Sequence, residues 1–299
     1  MMRRLFCLLG ALLLIALACA GAAAEESAAL RGYSRTEGYV YLTLGSYPQE
    51  ADGTVRPILW RVLTVDAEKA YLCSEYILFA RPMHPDLAEY RDVLKGDFGQ
   101  TELCHYLNSD FAETAFTREE LDMLLPFEGY GKVFLLDAAD LANTDIGMGK
   151  ETSLKKSPGL RAWGTPYAIE NNGYGTEQQT GKAVSASGEQ KSIQKLRLFV
   201  YSKSYGAHSP YWVRNQSTTD PRHARCTKEK GQLGHIEVGR DNEGVRPALY
   251  LAMDSFLITD GDGSMEHPYQ LSPAAPAADA LEALDEAVDV EEETEVPVE

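Results

Sequence analysis

The chain lacks the cysteines for a disulfide scaffold. Five are present in 299 residues, and Cys7 and Cys19 fall in the first twenty positions, within a segment that reads as a leader. Cys73, Cys104 and Cys226 remain, an odd number whose spacings match no zinc pattern. Buried thiols are the plain reading, with one disulfide plus one free thiol as the alternative. Positive charge is scarce as well. Lys and Arg number 28 against 45 Asp and Glu, giving a formal charge of −17. Acidity of that size argues against nucleic acid and anionic membrane surfaces as partners, since both select basic proteins. No apolar run after the leader reaches the ~20 residues needed to span a bilayer. Catalytic signatures are missing too: no Gly-x-Ser-x-Gly elbow, no His-Glu-x-x-His pair, and no phosphate loop. "NGYG" and "GDG" are Gly-rich, but neither follows a strand and opens a helix. Motifs therefore give an enzyme reading no support.

What is present begins with "MMRRLFCLLGALLLIALACAGAAAEE". A basic start at Arg3 and Arg4, an apolar run and then small residues make the layout of a signal peptide, placed at residues 1–24. Small residues at Ala18-Cys19-Ala20 or Ala22-Ala23-Ala24 supply the cleavage point. An uncleaved anchor is the competing reading, and lipid attachment at Cys19 is a third. The expected location is outside the cell or in the cell envelope, as a lipoprotein if Cys19 is modified. At the other end, residues 272–299 hold ten acidic residues, no basic one, and mostly Ala and Pro otherwise. Such a composition cannot offset the entropy of ordering and reads as an acidic disordered tail.

Residues 33–271 read as one α+β domain. "YVYLTLGSYPQ" alternates as a strand does, and "RPILWRVLTVD" with "AYLCSEYIL" reads as a hairpin around "DAEK". "TELCHYLNSDFAETAF" switches to helical spacing, with Leu103, Leu107 and Phe111 on one stripe. Thr117 and Glu120 form a capping box at the start of "TREELDMLL". "KVFLLD" is a short buried strand whose Asp137 can cap the helix "AADLAN". Residues 144–195 are long, polar and Gly-rich, and loops of that kind are usually functional or disordered. "KLRLFVYS", "PYWVRN", "HARCTK", "LGHIEVG" and "GVRPALYL" follow as strands.

Candidate chemistry is thin. "HARC" sets His223 three residues before Cys226, and in a strand these point to opposite faces, so a shared zinc ion is disfavoured. "TDGDGSMEH" opens like a calcium loop at Asp260 and Asp262. Leu271 stands at the twelfth position, where a bidentate Glu belongs, so a turn is the better reading. Aromatic residues carry more. Trp60 and Trp212 lie among strand residues and read as core. Trp163 falls in the long polar region near Tyr167 and Tyr174, and is the best candidate for an exposed platform against a sugar or a protein. In "GVRPALYL", Pro247 suits a strand's first residue and Gly244 a tight approach. Arg246 reads as a structural clasp that ties down carbonyls or a carboxylate.

Taken in order, "PILWRVL", "TELCHYLNSDFAETAFTREE", "KVFLL", "TPYA", "YWVRNQ" and "GVRPALYL" resemble a family of secreted bacterial domains, domain of unknown function 6273, across residues 39–271. That family shows a WRVL strand, an S-x-L-R-x-W-L-N helix, VFLL, W-W-L-R-S and a closing G-V-R-P-A-L. Here Cys104, His105 and Tyr106 replace its Leu-Arg and Trp, and "YWVRNQ" replaces W-W-L-R-S. The late Trp-x-Arg and Gly-x-Arg are similar to C-type-lectin-like domains of the formylglycine-generating and sulfatase-modifying branch. The resemblance implies two helices packed on a small, twisted, mostly antiparallel sheet, with long loops that display a binding surface. Together with the leader, the missing catalytic motifs and the long polar loops with their aromatics, it makes a non-catalytic module for a glycan or extracellular protein the expected function, binding through loops 144–195 and 215–225, with Trp163, Tyr167, Tyr174, Arg214 and Asn215 as ligand-binding candidates. No cofactor is required, and calcium stays an option because many lectin-like domains bind it. The branch's oxidase activity needs two late cysteines for copper, and the second half of this chain has only Cys226. Two alternatives remain, an extracellular enzyme with a site near Arg214 and Arg246, and a structural component of the envelope.

Overall fold

The computed structural model describes residues 30, 39–148, 158–170, 208–228 and 231–274. The leader at 1–24 with Cys19, the candidate Tyr174, the expected strand at 195–202 and residues 275–299 of the tail lie outside the described residues.

The domain is mixed α+β and mostly sheet. Strands β1 (Tyr41–Pro48), β2 (Val55–Val65) and β3 (Lys69–Ser74) form an antiparallel meander. The hairpin expected from the sequence is present. At its turn the Asp66 carboxylate accepts from the Glu68 and Lys69 amides, both at 2.9 Å, which is why Asp suits that place. β1 shifts register between Thr43 and Ser46 around Gly45, whose φ is +67°. A Cβ at Gly45 would lie 2.6 Å from both the Ala115 carbonyl oxygen and the Phe116 ring, so only glycine fits.

After β4 (Phe79–Ala80) come four short helices: α1 (Leu87–Asp92), α2 (Glu102–Leu107), α3 (Asp110–Ala115) and α4 (Arg118–Asp122). The expected pair of helices is thus replaced by a series of single turns, none longer than six residues among those described. The helix expected at 101–116 breaks at Asn108 for a specific reason. Its amide donates to the Tyr130 and Val133 carbonyls, both at 2.8 Å, and its oxygen accepts from the Lys132 and Val133 amides at 2.8 and 3.0 Å. The stripe itself holds, with Leu103, Leu107 and Phe111 each 0% exposed. The Thr117–Glu120 capping box is formed, and Glu120 reaches further to accept from the Gly45 amide at 3.0 Å.

β5 (Leu124–Leu125), β6 (Val133–Leu135) and α5 (Ala138–Ala142), capped by Asp137 as expected, complete the first half. The second half contributes β7 (Ala162–Trp163), α6 (Pro166–Glu170), β8 (His208–Ser209), β9 (Trp212–Gln216), β10 (His223–Thr227) and β11 (Leu233–Glu237). β12 (Gly244–Val245), β13 (Pro247–Ala252), β14 (Phe256–Asp260) and β15 (Tyr269–Pro273) follow. The main sheet has eight strands in the order β14-β15-β1-β2-β3-β13-β5, with β6 also on β13. It is larger than the small sheet expected. β1 and β15 run parallel, and the other pairs in this sheet are antiparallel. β9, β10 and β11 make a separate antiparallel sheet. The turn expected at "TDGDGSMEH" joins β14 to β15, and β15 runs through Ser272 and Pro273, residues whose composition places them in the tail.

"GVRPALYL" is two strands rather than one. β12 pairs with β4, and β13 pairs with β3, β5 and β6. Arg246 sits at the break. A Cβ on Gly244 would come within 2.7 Å of the Pro210 carbonyl oxygen and of Ile77, so the close approach there needs glycine. Trp60 and Trp212 are fully buried, and each indole N–H is satisfied, by the Leu44 carbonyl at 2.8 Å and the Arg81 carbonyl at 2.7 Å.

Candidate functional site

A cleft of ≈ 490 Å³ opens where three segments meet. The β1–β2 connection supplies Gln49 and Glu50, the start of β2 supplies Arg56, the segment after β3 supplies Glu75 and Tyr76, and residues 163–166 supply a further wall. Met265, from the β14–β15 connection, closes the rim. Main-chain bonds set these walls. The Ile77 amide donates to the Trp163 carbonyl at 2.9 Å and the Thr165 amide to the Ile77 carbonyl at 3.0 Å, which fastens β7 alongside residues 76–78. Thr165 then caps α6 by accepting from the Ala168 amide at 3.1 Å, and the Tyr167 amide reaches the Gln49 carbonyl at 3.0 Å.

The lining combines apolar surface with fixed polar groups. Four large apolar side chains are exposed among the described residues, and two of them, Trp163 at 37% and Met265 at 38%, are on this cleft. The Gln49 amide donates to the Arg56 and Pro57 carbonyls at 2.9 and 2.8 Å, which leaves its oxygen for a ligand. Arg56 and Glu50 form a rim ion pair at 3.3 Å, both well exposed. Burial, and then the charge of neighbouring Glu75, raise the Tyr76 phenol above its ordinary range, so it stays a neutral O–H.

Beneath the cleft Glu75 joins a buried charge cluster. Arg61 grips it with two parallel bonds, Nε to Oε2 and Nη2 to Oε1, both 2.7 Å. Arg61 also donates to the Gly159 carbonyl at 3.1 Å and lies 4.2 Å from the centre of the Tyr39 ring. Burial opposes the Arg61 charge, but the Glu75 carboxylate outweighs it and raises that guanidinium above its ordinary value. Arg246 approaches from the other side. Its Nε donates to the Ser74 carbonyl at 2.6 Å, Nη1 to the Tyr211 hydroxyl at 3.4 Å, and Nη2 lies 3.8 Å from Glu75. The Tyr211 hydroxyl in turn donates to the Leu160 carbonyl at 2.9 Å. One carboxylate thus serves two guanidiniums, and Glu75 is the member of the cluster that lines the cleft.

The other sequence candidates lie elsewhere. Tyr167 packs edge-on against Tyr47, with ring centres 6.1 Å apart. Arg214 donates to the Leu135 carbonyl and to Asp137, both at 2.6 Å, and faces the rings of Phe127, Tyr130 and Phe134. Asn215 accepts from the Ala138 amide at 2.6 Å. Both residues therefore bind β9 to the start of α5, and neither lines the Trp163 cleft. Glu75, Tyr76, Gln49 and Met265 were not singled out by sequence. A Glu placed directly after the core strand "AYLCS" was the available signal. Cys73, Cys104 and Cys226 are free and buried, and burial raises the thiols of all three, that of Cys104 to about 12. In the "TDGDGSMEH" turn, Asp260 and Asp262 accept from the Gly261 and Ser264 amides. Among the described residues no helix is long and apolar enough to cross a membrane. No family model, no curated protein and no solved structure matches the chain.

Proposed function

We propose that the chain is a secreted or cell-surface, non-catalytic binding module of C-type-lectin-like fold that takes a glycan in the Trp163 cleft. The carrying observation is the exposed Trp163 ring on the wall of a ≈ 490 Å³ cleft that Gln49, Arg56 and Glu75 also line. That pairing of one aromatic face with a few oriented polar groups is what a sugar ring needs, stacking for its C–H face and hydrogen bonds for its hydroxyls. Three further points support the reading: the signal-peptide layout, the ordered motifs shared with the secreted bacterial family, and the loop-rich α+β plan. An enzyme centred on both Arg214 and Arg246 is the weaker reading, since the first is held by Asp137 and the second lies beside Glu75.

Screening the full chain on a glycan array, followed by affinity measurement on the best hit, tests the proposal. Trp163→Ala should weaken binding at least tenfold, and Arg56→Ala should weaken it less. Binding that ignores Trp163→Ala would place the ligand elsewhere. A blank array together with turnover of some substrate would remove the reading. Capture of an extracellular protein that Trp163→Ala abolishes would keep the cleft and change the ligand class.

A further inference from the structure

The β14–β15 connection brings one sulfur atom to the rim of the cleft. Its turn is closed by local bonds: the Asp262 and Gly263 amides donate to the His267 carbonyl at 2.9 and 3.1 Å, and the His267 amide donates to the Ser264 hydroxyl at 3.0 Å. The Tyr41 amide donates to the Gly263 carbonyl at 2.9 Å, which ties the turn to β1. Met265 lies inside this turn, so its backbone is held in place while its side chain stays 38% exposed on the cleft. Every other described methionine is in the core, with Met83, Met123, Met148 and Met253 each at most 5% exposed. The thiols are no easier to reach. Cys73, Cys104 and Cys226 are buried, and burial raises each of them, which keeps them in the less reactive protonated form.

We propose that Met265 is an oxidative-modification site, converted by a peroxide to its sulfoxide, and that this change weakens ligand binding in the Trp163 cleft. The second half rests on the binding function proposed above, and the first does not. In the step, a sulfur lone pair attacks one peroxide oxygen, an S–O bond forms and the O–O bond breaks. The sulfur gives up two electrons, and the other oxygen leaves with the proton as water or an alcohol. An apolar, polarizable thioether thereby becomes a polar S=O acceptor. The change falls where it matters, because Met265 and Trp163 are the large apolar side chains exposed on this cleft, the surface that a sugar's C–H face would meet.

Treating the full chain with dilute hydrogen peroxide and mapping its peptides by mass spectrometry tests the site. Met265 should gain one oxygen well before Met83, Met123, Met148 or Met253. Methionine sulfoxide reductases for both epimers, with dithiothreitol, should remove it. Oxidised wild type should bind the best array glycan about fivefold more weakly, and the reductases should restore the affinity. Met265→Leu, whatever its own starting affinity, should be unchanged by peroxide. Oxidation spread evenly over the methionines, or a core methionine ahead of Met265, would overturn the site. Complete Met265 oxidation with unaltered glycan affinity, or an equal loss in Met265→Leu, would overturn its effect on the cleft. A blank glycan array removes the binding function, and the peptide map still decides the modification site.

Discussion

Two arginines near the ends of late strands, Arg214 in β9 and Arg246 between β12 and β13, look alike in sequence and do different work. Arg246 is 1% exposed and shares a single carboxylate with a second buried arginine. Arg214 is a lone cation with two acidic neighbours, Asp137 at 2.6 Å and Asp140 at 3.6 Å, and its side chain keeps 10% exposure. One cluster carries an excess of positive charge and the other an excess of negative. The positive one lies under the cleft, where Glu75 belongs to both. The negative one fastens a helix start and reaches no cleft side chain. Buried charge therefore marks the candidate site only where one member also faces the opening.

The largest effect expected from this contrast is at Glu75. Glu75→Ala leaves two guanidiniums buried without an anion, and breaking a buried pair from one side costs about 3–5 kcal/mol. Chemical denaturation should show that loss, and Glu75→Gln, which keeps the shape, should fall between the variant and wild type. A loss below that of Arg246→Met would mean that the cluster is not held together by its carboxylate. Arg246→Met comes next. It removes one of the two cations, the Arg61–Glu75 fork stays intact, and the main deficit is the Ser74 carbonyl without its donor, about 1–3 kcal/mol. Unaltered stability with lost glycan binding would turn Arg246 from a clasp into a binding residue.

Much of the frame was legible in the sequence because local patterns carry it. The β2–β3 hairpin, the Thr117 and Asp137 caps and the buried Leu103, Leu107 and Phe111 stripe follow from alternation, capping chemistry and helical period. What escaped depends on distant partners. The helix at 101–116 is broken by the bonds of Asn108 to residues 130–133, more than twenty positions away. The strand at 244–251 is split because β12 finds β4 and β13 finds β3. The site was half visible. Trp163 stood out as an aromatic in polar surroundings, but its companions Glu75 and Gln49 come from the first sheet, and only the folded chain brings them to it. Arg214 and Asn215 were attractive because loops flank them, yet their polar atoms meet Leu135, Asp137 and Ala138.

The smallest effect tests the negative cluster. Arg214→Met should cost about 1–2 kcal/mol near neutral pH, less than the positive cluster because Asp137 and Asp140 keep some solvent and their own amide donors. Its pH dependence gives the sharper signature. Burial, foremost, with Asp137's charge also raising it, holds the Asp140 carboxyl above its ordinary value, while the Asp137 amide, the Tyr71 hydroxyl and Arg214 pull the other way. A carboxyl protonated more readily in the folded than in the unfolded chain adds stability as pH falls through its folded-state value. Loss of Arg214 raises that value further, so the variant should gain more from acid than wild type. Its deficit should be widest near neutrality and narrow as pH falls through the folded-state value of this carboxyl, where the proton stands in for the missing cation. A deficit that stays constant or widens over that range would mean that Arg214 holds β9 through the Leu135 carbonyl and the three rings, and not through its charge.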